Sequence, residues 1–365
     1  MPYRSLFHQE FVRRRHKFSE CRIKAETFSA ILLPKTLRNG EIMELQNFTE
    51  KIMEALQEFY GSDTRIETHQ VYKNNGLKLQ GVCVLTPEKN IAPTIYLNHF
   101  FEQYRQGMEF GEILNQIIAL YEENRLSQNL DVDFFMDYHK VKRRLVLRLI
   151  HKEKNKELLD QIPYRSFHDL AIVCHCLMMN EAIGTGSILI YKHHLQTWGI
   201  DQEEMFRQAA ENSPRLQPCS MQKMGDMLKE IMGRAVEERI EEICREYPQD
   251  KEAFLKRTVD NMEKEIDDCD IPMYVLTNEG RYYGAACLLY DGILEQIGEE
   301  LKGDFYILPS SVHEIILVAR REGDKDEVFS EMVRQVNASQ VDPQEWLSDH
   351  AYLYSRKEKR IILLE

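Results

Sequence analysis

The chain reads as an α+β protein with mixed or antiparallel sheets and packed helices. Three observations lead to that class. Short apolar runs of strand length are interleaved with amphipathic stretches at helical spacing. Several runs are joined by connections of hairpin length, which suit antiparallel pairing rather than a doubly wound parallel sheet. Finally, residues 272–318 read as strand, amphipathic helix, strand, tight turn and strand, with their densest polar cluster at the turn.

The elements follow in order. Leu45, Phe48, Ile52, Ala55, Leu56 and Phe59 recur at helical spacing until Gly61 stops the run. Ile66–Tyr72 and Leu77–Leu85 are strands, and Asn74-Asn75-Gly76 between them tolerates the positive φ of a hairpin. Pro93 to Leu97 is a third strand, and Asn98 is placed to cap a helix through Tyr104. A helix carries Ile113, Leu114, Ile117, Ile118 and Tyr121, and polar residues 127–133 suggest a linker. Val141–Ile150 alternates in part, predicting a strand whose charged face bears Arg144 and Arg148. Leu170–Met178 is a strand, and Ser187–Tyr191 another after a Gly184-Thr185-Gly186 turn. Asp201 caps the helix that follows, and residues 221–268 predict a long helical pair broken near Pro248. The C-terminal part holds strand 273–277, helix 284–301, strands 304–308 and 313–319, helix 325–337 and strands near 351–355 and 360–364.

Composition narrows the class of protein. At 43% hydrophobic and 29% charged, the 365 residues can bury a sizeable core. No apolar run approaches the roughly 18 residues that span a bilayer, so no membrane partner is expected. Eight cysteines without framework spacing suit reduced thiols in a cytoplasmic protein. A net charge of −13 argues against nucleic acid as the main partner.

That charge is uneven. Residues 1–42 hold nine basic against four acidic residues, a local +5 that leaves −18 for the rest. This basic arm is expected to be disordered, or untranslated leader with Met43 as the true start. Gly40-Glu41 can be encoded by a purine-rich ribosome-binding sequence just upstream of Met43. A region at 43–130 and a domain at 131–365 complete the expected organisation.

Certain motifs resemble a family catalogued as a domain of unknown function among clostridial gut bacteria. They are the Tyr72–Gly81 hairpin, Pro93–Leu97, Leu158–Pro163, Tyr274–Asn278 and Leu308–Glu314. A looser similarity runs to YtpQ-like proteins of bacilli. It is carried by Leu195–Gly199 with Ala209, Asn212 and Pro214, and by Gly284-Ala285-Ala286 with the strand pair after it. The resemblance implies fold and class, and no catalytic residue.

The strongest polar cluster is Ser310, Ser311, His313 and Glu314. Nucleophilic catalysis needs a hydroxyl within reach of a base that a third group orients. In a strand His313 and Glu314 face opposite ways, and two serines after Pro309 are ordinary turn formers. Cys174 and Cys176 share a strand face, as metal ligands could, yet four ligands need a second pair. The adjacent His193 and His194 do not supply one. Nucleotide, zinc-protease and nucleophile-elbow fingerprints are absent, so no cofactor is expected.

The expected function is therefore non-catalytic: a binding or regulatory protein whose partner is a protein or small ligand. One alternative is a hydrolase-like enzyme around Ser310, Ser311 and His313, with Tyr282 or Tyr283 contributed from the preceding turn. A second is nucleic-acid binding through the basic arm and Lys140–Arg148.

Overall fold

The structure, a computed structural model, describes residues 44–89, 92–125, 133–180, 184–227, 229 and 272–364. The basic arm, the Met43 start, most of the 127–133 linker and nearly all of the 221–268 helical pair lie outside these residues. The chain divides into two compact units, one within Phe7–Phe134 and Met179–Gly186, the other within Phe135–Met178 and Ser187–Glu365.

In the smaller unit, helix α1 (Leu45–Tyr60) precedes strands β1 (Arg65–Tyr72), β2 (Lys78–Leu85) and β3 (Thr94–Tyr96). Helices α2 (Leu97–Arg105) and α3 (Phe110–Asn124) follow. The sheet order is β1-β2-β3, all antiparallel. The hairpin forms where expected, with Asn75 at φ 60 and Gly76 at φ 70. Its inward residues Ile66, Val82 and Val84 pack with Phe48, Ile52, Leu56, Ile113 and Ile117 from the helices. Asn98 does not cap α2. Its Oδ1 instead accepts the Gln80 amide at 2.8 Å, which ties α2 to β2, and Tyr96 occupies the cap position without a side-chain bond.

The larger unit holds two sheets. Strands β4 (Leu145–His151), β5 (Arg165–Phe167), β6 (Leu170–Asn180) and β7 (Gly184–Leu189) form one, in which β6 pairs with β4, β5 and β7. The Gly184–Gly186 stretch, expected as a turn, belongs to strand β7. Helices α4 (Lys192–Trp198) and α5 (Gln202–Leu216) come next, and Asp201 caps α5 by accepting the Glu204 amide. The second sheet contains β8 (Cys219–Lys223), β9 (Met273–Asn278), β10 (Phe305–Pro309), β11 (Ile315–Ala319), β12 (Tyr352–Ser355) and β13 (Arg360–Leu363). Its order is β13-β12-β10-β11-β9-β8, antiparallel throughout. Residues 221–223, assigned above to a helix, are thus the end of an edge strand.

Two further expectations are corrected. The predicted helix at 284–301 is two pieces, a 3-10 helix at Gly284–Leu289 and helix α6 (Ile293–Glu300). Gly292, at φ 73, separates them, because a left-handed residue ends one helical turn and re-aims the next. Strand β4 has no charged face: every residue is buried, Arg148 included. The 3-10 helix packs against β4, so both faces of the strand are covered.

Helix α7 (Asp326–Gln340) covers the other face of the second sheet through Val333 and Phe329. Asp169, in the β5–β6 turn, accepts from two hydroxyls. It takes the Tyr352 hydroxyl at 2.5 Å and the Ser348 hydroxyl at 2.7 Å, linking the β5–β6 turn to the start of β12.

Candidate functional site

The turn between β10 and β11 is closed by its own polar atoms. The Ser311 amide donates to the Glu314 carbonyl at 3.2 Å, and the Ser311 hydroxyl accepts the His313 amide at 3.0 Å. The Ser310 hydroxyl donates to Glu314 Oε1 at 3.3 Å. Burial holds the Glu314 carboxyl above its ordinary range, with that hydrogen bond acting against it. Serine hydroxyls that cap a turn in this way substitute for backbone pairing lost at the corner.

His313 is aimed elsewhere. Its Nδ1 accepts the Tyr283 amide at 3.0 Å, so the ring proton is assigned to Nε2, which faces Glu345 Oε1 at 3.5 Å. The hydrogen bond from His313 holds the Glu345 carboxyl below its usual range. Among the described residues, the Ser311 hydroxyl and the His313 ring share no hydrogen bond. The structure thus joins Ser310 to Glu314 and Ser311 to the His313 backbone, but assembles no nucleophile–base pair.

What His313 positions is a tyrosine turn. Tyr283 sits at φ 55, a left-handed conformation that costs a non-glycine residue about 1–3 kcal/mol. Its amide bond to His313 and its ring contacts offset that strain. The Tyr282 ring lies edge-on at 4.6 Å and the His313 ring at 5.1 Å. The next residue must be glycine: a Cβ on Gly284 would lie 2.1 Å from Thr277 Oγ1 and 2.7 Å from the His313 carbonyl oxygen.

The other side of Tyr283 meets Arg148. The guanidinium carbon lies 3.6 Å from the Tyr283 ring centroid and 5.2 Å from that of Tyr282. Arg148 is 1% exposed. Burial lowers its pKa, with the two tyrosines partly offsetting the penalty. Nevertheless, among the described residues Nε and Nη2 are buried without a hydrogen-bond partner, because a guanidinium stacked over a ring points its N–H groups past it. His175, on β6, completes the cluster, with its ring 6.1 Å from Tyr283 and Nδ1 3.3 Å from the Ser187 hydroxyl. Burial, reinforced by the Arg148 charge, drives the His175 pKa well down, so the ring is neutral.

Cys174 and Cys176 do share a strand face, and both are buried. Burial pushes the Cys174 thiol up and the Cys176 thiol up to about 12, so both stay protonated, whereas metal binding needs thiolate. Of the neighbouring imidazoles, His194 is taken up by the Tyr191 amide at 3.0 Å and stacks on Trp198. Among the described residues no three His, Cys, Asp or Glu side chains gather as a metal site. On the Lys140–Arg148 stretch, Lys140, Arg143 and Arg144 are exposed while Arg148 is withdrawn into the core.

Sequence reasoning places Arg148 only within the basic stretch Lys140–Arg148 and does not single out Glu345. Alternation puts Arg148 on a charged strand face, although Leu, Val and Ile flank it on both sides. An isolated arginine inside an apolar strand is the available signal for a buried cation. Glu345 carries no local sign, since its role depends on the approach of His313 from another element.

The fold and site define an α+β protein with an antiparallel six-stranded sheet and an aromatic–histidine cluster around a buried cation. The chain belongs to the Family of unknown function (DUF5688), whose model matches residues 45–356. No curated protein and no solved structure matches it.

Proposed function

We propose that the protein is a non-catalytic binding or regulatory module and that its recognition site is the cluster of Tyr282, Tyr283, His313 and Arg148. The carrying observation is how the polar groups are used. The serines serve their own turn, and the imidazole holds the amide of Tyr283, so the cluster's hydrogen bonds orient aromatic rings instead of activating a nucleophile. Tyr282, 41% exposed beside the half-buried Tyr283, offers the solvent-facing contact for a small ligand.

Kinship with clostridial gut bacteria, and more loosely with YtpQ-like proteins of bacilli, belongs to the same proposal and rests on the motifs quoted above. A cytoplasmic location is supported by the free thiols of Cys83, Cys174, Cys176, Cys219 and Cys287. No helix among the described residues is long and apolar enough to cross a membrane.

The test pairs a thermal-shift screen of small metabolites with an ester and phosphoester hydrolysis assay. Ligands that raise Tm in the wild type and lose effect in Tyr282→Ala support the proposal. Hydrolysis that survives purification and disappears in Ser311→Ala overturns it in favour of the enzyme reading.

A further inference from the structure

Resting on that reading, we propose that Arg148 is an oxyanion receptor. Its Nε–H and Nη2–H form a two-pronged fork for one carboxylate or phosphate group of a small ligand. Three features of the structure support this.

The first is which donors are unused. Nε and Nη2 lie on the same side of the guanidinium, and their N–H bonds run parallel. That edge matches the two oxygens of a carboxylate or phosphate bidentately. Among the described residues both atoms are buried without a hydrogen-bond partner, while Tyr283 and Tyr282 act on the same guanidinium by charge and by hydrogen bonding. Two random losses would not have to fall on one edge. Leaving a charged group's donors unmet inside a protein costs more than an ordinary hydrogen bond contributes.

The second is charge. Burial opposes the Arg148 charge and Tyr283 and Tyr282 favour it, and among the described residues no carboxylate forms an ion pair with it. Glu345, the carboxylate that acts on Tyr283, is engaged with His313. The other imidazole facing the cation, that of His175, is neutral. A positive charge stacked on rings and paired with no acid is complementary to an incoming anion, which would not have to displace an internal ion pair.

The third is the boundary with solvent. The Tyr282 ring centroid stands 5.2 Å from the guanidinium carbon, and Tyr282 is exposed to solvent. It belongs to a turn in which Arg281 and Tyr283 adopt φ 50 and φ 55. Strained non-glycine residues of this kind gather at ligand clamps. Once inside, the anion meets the fork, and the aromatic rings cover the organic part of the molecule.

The probes are sodium acetate for the carboxylate source and inorganic phosphate for the phosphate source, with sodium chloride at matched ionic strength. Binding is read on wild-type protein from the Arg148 Nε–H resonance in arginine-labelled samples, and in parallel from Tm. A saturable shift of that resonance with one oxyanion and not with chloride supports the proposal, and the responding arm identifies the source. Arg148→Lys retains the charge but has no fork. Losing one charge-assisted hydrogen bond weakens affinity about tenfold or more. Equal affinity in Arg148→Lys overturns the receptor role. So does an Nε–H resonance that neither oxyanion moves. In that last case neutral compounds that still bind in a Tyr282-dependent way leave the broader binding reading standing, whereas no binding of any kind removes both.

Discussion

Replacing Gly284 with alanine tests the packing that aims the tyrosine turn. The added Cβ would lie 2.1 Å from Thr277 Oγ1, 2.6 Å from the Asn278 amide nitrogen and 2.7 Å from the His313 carbonyl oxygen. Two of these are backbone atoms fixed by β9 and by the β10–β11 turn, so neither retreats cheaply. The third can rotate only by giving up the 2.8 Å bond from Thr277 to the His313 carbonyl. Overpacking costs about 1–3 kcal/mol and the broken buried bond about 1–3 kcal/mol, so Gly284→Ala is expected to destabilise by about 2–6 kcal/mol. In a domain of about 150–250 residues, where Tm moves about 2–4 °C per kcal/mol, this lowers Tm by roughly 10 °C. Both tryptophans, Trp198 and Trp346, lie in the larger unit, so their fluorescence during urea or thermal unfolding reports on it directly. Gly298→Ala is the control. Its Cβ would meet Arg356 Cγ at 3.0 Å, the middle of a flexible side chain, and alanine favours α6 by about 1 kcal/mol. If Gly284→Ala unfolds within about 1 kcal/mol of wild type, the close-approach reasoning is wrong.

Other outcomes follow from the same structure. Tyr352→Phe removes a 2.5 Å bond to the Asp169 carboxylate, and chemical denaturation should show a loss of about 1.5–3 kcal/mol. His151 and His175 have pKa values lowered first by burial, and His194 is lowered to about 4 by burial. Each binds its proton more weakly folded than unfolded. The stability they contribute is therefore present above pH 6.5, the unfolded value, and is lost as pH falls from there through the folded values. Each such group gives a slope of up to about 1.4 kcal/mol per pH unit below that point, reduced where solvent screens it. Urea midpoints that stay flat from pH 7 to pH 5 contradict this. Ser311→Ala loses a single turn bond and should cost about 1 kcal/mol, measured by the same denaturation, with the Arg148 resonance unmoved.

The sequence by itself determined most of the element types and the α+β class. Apolar spacing along α1 and α3, and the Asn74-Asn75-Gly76 hairpin, are local signals that neighbouring chain cannot easily override. It also singled out the Ser310–Glu314 corner, because turn formers are concentrated there. Tertiary structure decided the rest. Arg148 looks like half of a charged strand face until the 3-10 helix at Gly284–Leu289 packs on β4 and closes that face to water. Asn98 looks like a cap until β2 passes within reach of it. His313 looks like a partner for serine until Tyr283, thirty residues earlier, presents its amide. In each case the deciding partner lies on another element, and periodicity along one strand or helix carries no information about which side chain will arrive opposite it.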